Sequence, residues 1–158
     1  MVAYFVYTGA FTALGQRVTP EIIQGDVVMH IHPRIEIYIE REQVTIPANI
    51  GIDPKLWKDR SLERYGMPMP EMRDMPHMSP LHTHDTSGTM HVESTANMIY
   101  TLGEFFDAWG VNFNPTCILD RCSEAGNLVM QVNGVRSDEF RNHILSDGEQ
   151  IRIEFRKR

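Results

Sequence analysis

At 158 residues the chain fits one compact domain and leaves no room for a second full one. Its 42% apolar and 23% charged residues match a soluble globular protein, which argues against a disordered chain or a membrane bundle. The net charge is −6 and the only dense basic run is Arg156-Lys157-Arg158, so a nucleic-acid surface is not expected.

Met1 to Leu14 leans apolar but is interrupted by Thr8, Gly9 and Thr12. It falls short of the roughly 20 apolar residues of a membrane span and has no basic n-region. It is predicted as a first strand. A cytoplasmic location follows by default, and an extracytoplasmic one if the chain is a processed or trimmed form. From Val27 to Glu40 the chain alternates, with Ile31, Ile35, Ile37 and Ile39 on one side and His30, His32, Arg34, Glu36, Tyr38 and Glu40 on the other, the pattern of one strand with a wet or functional face. Glu42-Gln43 is read as the tight connection into a second short strand, Val44 to Pro47.

Residues 53–80 carry Pro54, Pro68, Pro70, Pro76 and Pro80, which keep out a long helix or a central strand and predict an excursion loop. Leu81 to Asp85 and Thr89 to Ser94 then alternate on either side of a Ser87-Gly88 turn. Thr101-Leu102-Gly103-Glu104 is a capping box that opens a helix over 102–109, with Leu102, Phe105, Phe106 and Trp109 as its apolar face and Gly110 as its stop. Leu128 to Val132, an Asn133-Gly134 turn, an Asp147-Gly148 turn and a strand from Ile151 to Phe155 complete the chain. Strands, one main helix, then strands, without a βα rhythm or repeat, predict a single α+β domain with a mixed, mostly antiparallel sheet. Its C-terminal half resembles a β-grasp domain. Cys117 and Cys122, in C-x4-C spacing, match no zinc ribbon and are read as two free or loosely paired thiols.

Five of the seven histidines fall in two windows, His30/His32 and His82/His84/His91. On a strand, residues i and i+2 share a face roughly 6–7 Å apart, so each His-x-His can converge on one ion at about 2.0–2.1 Å. Two strands brought together would supply three or four nitrogens, with His91 completing the set. Glu36, Asp85 and Glu93 accompany the histidines as candidate ligands, orienting groups or catalytic carboxylates. His77 and His143 are read as ordinary histidines. Clustered histidines could also form a pH switch.

Met67, Met69, Met72, Met75 and Met78 place five of the ten methionines in a proline-studded segment with no core face to fill. Soft thioethers at such spacing capture Cu(I), which tilts the metal toward copper over zinc and makes the run a secondary soft-metal site; core packing is the competing reading. The run resembles the methionine-rich segments of copper-tolerance and copper-transport proteins.

Four stretches carry a wider likeness: His30-Ile31-His32-Pro33-Arg34-Ile35-Glu36-Ile37, Ile46-Pro47-Ala48-Asn49-Ile50-Gly51-Ile52, Leu81-His82-Thr83-His84-Asp85-Thr86-Ser87-Gly88 with His91-Val92-Glu93-Ser94, and Thr101 to Gly110. On these the chain resembles an uncharacterised archaeal and bacterial family whose members often follow a membrane anchor and face outward. Similar chains occur in ammonia-oxidising archaea, whose metabolism relies on copper. The functional expectation is a histidine-ligated copper-handling protein, exchanging its ion with a donor or acceptor protein, with self-association left open. The alternatives are a zinc enzyme activating water, as a carbonic-anhydrase-like hydratase or a hydrolase, and a metal that only staples the sheet.

Overall fold

The structure, a computed structural model, describes residues 26–69, 77–124 and 126–157. The expected first strand near the N-terminus, Met72 and Met75 lie outside these. The described strands are β1 (Met29–Ile31), β2 (Arg34–Ile39), β3 (Glu42–Val44), β4 (Leu81–His82), β5 (His91–Ser94), β6 (Phe113–Asn114), β7 (Cys117–Ile118), β8 (Arg121–Cys122), β9 (Gly126–Val132), β10 (Val135–Ser137) and β11 (Gln150–Lys157), with helix α1 (Leu102–Trp109) between β5 and β6. They form a three-stranded sheet in the order β1-β5-β4, a five-stranded sheet in the order β10-β9-β11-β2-β3, and the small antiparallel sheet β6-β7-β8. The parallel pair is β11 with β2; the other pairings are antiparallel. The architecture is α+β, as expected from the pattern.

The period-2 alternation explains the larger sheet. Ile35 and Ile37 of β2 and Ile151, Ile153 and Phe155 of β11 are buried, and they stand in register across the parallel pair. On the opposite face Arg152 lies 3.9 Å over the Tyr38 ring. Helix α1 covers the core with Leu102, Phe105, Phe106 and Trp109, and each such buried side chain contributes roughly 1.5–3 kcal/mol relative to exposure. Thr101 accepts from the Glu104 amide while Glu104 accepts from the Thr101 amide, and Gly110 closes the helix at φ 81°.

Three local expectations are corrected. The single strand from Val27 to Glu40 is two strands in different sheets. Pro33 has no N–H for a ladder, and the chain bends at His32-Pro33, where the His32 amide donates to Asp147 Oδ1 at 2.8 Å instead of to a neighbouring strand. The β2–β3 connection is Glu40-Arg41, both with positive φ (53° and 76°), so Glu42 and Gln43 belong to β3. Cys117 and Cys122 are not free thiols: they are directly opposed across β7 and β8, with Cα atoms 4.1 Å apart, and form a disulfide. Four residues between two cysteines can be a hairpin tip, and sequence spacing alone does not say so.

Gly88 joins the two larger sheets. Its carbonyl accepts from the Ile35 amide at 2.8 Å, its φ is +83°, and a Cβ there would sit 2.2 Å from the Ile35 oxygen. Gly134 has a similar φ of +80° with nothing within 4 Å of a Cβ. Gly134→Ala should therefore cost only the left-handed penalty of roughly 1–2 kcal/mol, and Gly88→Ala clearly more, as read from urea midpoints. Equal losses would show that the close approach at Gly88 carries no energetic weight. Replacing both cysteines by serine should cost about 2 kcal/mol, the loop-closure value for so short a ring, and adding reductant to the wild type should reproduce that loss.

Candidate metal centre

The three-stranded sheet brings the histidine windows together by register. β5 lies between β1 and β4, with His30 opposite Glu93 and His82 opposite His91. Opposed residues of an antiparallel pair share a face, and so do residues i and i+2 of one strand. His91 and Glu93 alternate with buried Val92 and Ser94, so both point away from the core, and His30 and His82 stand beside them on the same face. His32 and His84 follow two residues after their partners, beyond the strand ends. The expected direct pairing of the two His-x-His segments is replaced by a three-strand arrangement in which β5 supplies the middle.

His91 is the centre of the cluster. Its ring lies 4.5 Å from His84, 4.7 Å from His32, 5.4 Å from His82 and 6.5 Å from His30, centroid to centroid. His82 Nε2 and His84 Nε2 are 3.2 Å apart. Two nitrogens on one tetrahedral ion at about 2.0–2.1 Å would be separated by about 3.3 Å. His82 Nδ1 is 3.0 Å from the Ser79 carbonyl, to which only an N–H can donate. This bond leaves the Nε2 lone pair facing His84, so a cation or a proton carried by His84 must lie between the two rings. His91 Nδ1 is buried without a hydrogen-bond partner; Glu93 Oε1 lies 3.5 Å away but outside hydrogen-bond geometry. A buried nitrogen left in that state costs about 1–3 kcal/mol, which a coordinated ion would offset.

The supports come from elsewhere in the chain. Thr83, buried between His82 and His84, donates its hydroxyl to the Pro47 carbonyl at 2.8 Å and accepts from the Ile50 amide at 3.1 Å. The Thr83 carbonyl accepts from the Asn49 amide at 2.9 Å. Gly51, at φ +74°, approaches so closely that a Cβ would be 2.6 Å from the Leu81 oxygen, and its carbonyl accepts from the Ser79 amide. The Ile46-to-Ile52 motif is thus the clamp that holds the second His-x-His. For the first, Asp147 holds the His32 amide, and the Asp147 turn is itself held by Glu149, which accepts from the Ser146 amide at 2.9 Å and contacts buried His143 at 3.0 Å. Ser79, Thr83 and Asp147 were not singled out as site residues. Backbone carbonyl and amide partners leave no signature in residue type.

Of the candidate carboxylates only Glu93 joins the cluster, its Oε1 lying 3.0 Å from His30 Nε2. Glu36 does not share a face with His32, because the bend at Pro33 moves it into the other sheet, where it accepts from the Tyr38 hydroxyl and faces Arg34. Asp85 turns outward and accepts from the Ser87 amide. In the excursion loop, the Met78 amide donates to the Met67 carbonyl at 2.9 Å, and Met69 packs against Trp57 and Ala108. His77 forms a bridge with Pro68 in the same pairing. Compared with family models, curated proteins and solved structures, the chain matches none.

Burial lowers the His82 pKa from 6.5 to about 4, with the neighbouring His84 and His91 adding to the effect and Glu93 opposing it; His91 is also lowered, by burial first and then by His84 and His32. Both rings are therefore neutral, lone-pair-bearing groups at neutral pH. The unfolded chain takes up these protons first as pH falls, so stability complete above pH 6.5 should decline between there and about 4. For His82 the loss is on the order of 3 kcal/mol. Urea melts in chelator from pH 7 to pH 4.5 should show it, and His82→Gln should flatten that part of the profile; an unchanged slope in the variant would assign the acid lability elsewhere.

Proposed function

We propose that this chain is a transition-metal-binding protein that handles copper, taking the ion onto the histidine face of β1, β5 and β4. The observation that carries the reading is the pair of Nε2 atoms of His82 and His84 at 3.2 Å beside the partnerless His91 Nδ1. Imidazole donors suit copper and zinc alike, so the preference for copper is supported by the methionines. Pairing of the Met67 carbonyl with the Met78 amide brings two of them to neighbouring backbone positions, one residue before Ser79, whose carbonyl orients His82. In this reading the soft thioethers receive Cu(I) from a donor protein and the imidazoles retain it. The Cys117–Cys122 disulfide supports an oxidising compartment, and hence an outward-facing location. The hairpin β2-β3, then α1, then β9-β10 and a last strand parallel to the first support a β-grasp-like arrangement of the larger sheet.

Glu93 favours one further reading. A zinc ion on three imidazoles would lower the pKa of a bound water to about 7, and an adjacent carboxylate could orient that water. Competition titrations on protein purified without an affinity tag separate the two. Under the copper reading, His82→Ala with His84→Ala should weaken Cu(I) binding by more than about 100-fold. Changing Met67, Met69, Met72, Met75 and Met78 to leucine should slow or weaken Cu(I) loading alone and leave Zn(II) affinity intact. Unchanged Cu(I) behaviour in the leucine variant would remove the methionine argument, and hydratase or esterase turnover by the zinc-loaded protein would favour the enzyme.

A further inference from the structure

We propose that the centre holds two ions, not one, with His91 shared between them; this rests on the metal-binding reading above. The donor atoms fall into two sets, His82, His84, His91 and Glu93, and His30, His32 and His91, each within 4.8 Å of one another. Opposite donors on an ion bonded at about 2.0–2.1 Å are roughly 4.1 Å apart, so either set closes around an ion with small side-chain rotations. The five histidines do not form one such set. His91 belongs to both, its ring 4.5 Å from His84 of the first set and 4.7 Å from His32 of the second.

An imidazole can serve two ions because its nitrogens lie on different edges of the ring. The neutral ring offers one lone pair and one N–H; metallation of the second nitrogen releases that proton to solvent and leaves a bridging imidazolate, with no change of oxidation state. His91 suits this role because its Nδ1 makes no hydrogen bond, Glu93 Oε1 lying 3.5 Å away outside hydrogen-bond geometry. Carboxylates of the same region balance a second cation: Glu93 Oε1 is 3.0 Å from His30 Nε2, and Asp147 Oδ1 is 3.9 Å from His32 Nδ1.

The two positions are unequal. The side chains of His30 and His32 are 50% and 44% exposed and that of His91 is 21% exposed; in the inner set His84 is exposed and His82, its anchor, is fully buried. The outer position, on His30, His32 and His91, is therefore the exchangeable one, and the inner position, with His82 held by Ser79, retains its ion. An ion passing inward keeps His91 as a ligand through the exchange.

The test uses the full chain, stripped of metal and titrated with Cu(II), which thioethers bind poorly. Native mass spectrometry should show two ions per chain, the second at least tenfold weaker, and electron paramagnetic resonance should lose its isolated Cu(II) signal as the second ion binds and the pair couples. His30→Ala with His32→Ala should bind one ion with an ordinary uncoupled signal. His91→Gln should abolish coupling at any loading. Saturation at one tightly held ion would overturn the shared site while leaving the metal-binding reading intact. Retention of a second ion in the His30/His32 variant would also overturn it, by placing that ion elsewhere. Failure to hold any ion would remove both proposals.

Discussion

The site depends on one constraint, the register of β5 between its two neighbours. Slipping that strand by one residue would turn His91 and Glu93 into the core and Val92 and Ser94 outward. The register is protected by hydrophobic burial: Val92 is fully buried and stands opposite Ile31 on one side and Leu81 on the other. The apolar face of a small sheet thus decides which polar residues meet on the other face. In this way core packing and ligand geometry are one requirement, satisfied by a single period-2 pattern.

Around this sheet the molecule spends backbone hydrogen bonds on orientation. His82 is buried at a cost that shows in its depressed pKa, and its ring is aimed by the Ser79 carbonyl. Ser79 and Thr83 are both tied to the 47–51 segment, where Asn49 and Gly51 take positive φ so that the backbones can approach. The outer pair is held more lightly, through the Asp147 turn and the exposed end of β1. An inner group anchored by buried His82 and an outer pair of exposed histidines would suit the proposed retention and exchange of an ion, since a ligand locked by packing holds its geometry while exposed ones admit solvent.

Much of this was legible in residue order. The capping box, the helix face and Gly110 specify α1 because they act within one or two turns of chain. The Asn133-Gly134 turn, with φ of 50° and 80°, specifies the β9–β10 hairpin for the same local reason. The clustering of the five histidines was visible because the i, i+2 spacing is itself a local geometric statement. The misjudged features share the opposite property. Glu36 accompanies His32 only if the strand is continuous, and the bend at His32-Pro33 is stabilised by Asp147, 115 residues from His32. The cysteines read as free or loosely paired thiols because nothing between them announces a hairpin tip.

The sequence by itself therefore determined the α+β class, the helix and its caps, and the two histidine windows, since propensity, capping and strand periodicity are encoded over a few neighbouring residues. Tertiary structure alone decided that β5 runs between the windows, that His91 is shared by both donor groups, that Glu93 and not Glu36 or Asp85 joins them, and that the 47–51 segment clamps Thr83 between His82 and His84. The physical reason is that strand order and backbone-mediated contacts are selected by burying the whole apolar surface at once, a global condition that no short window of sequence contains.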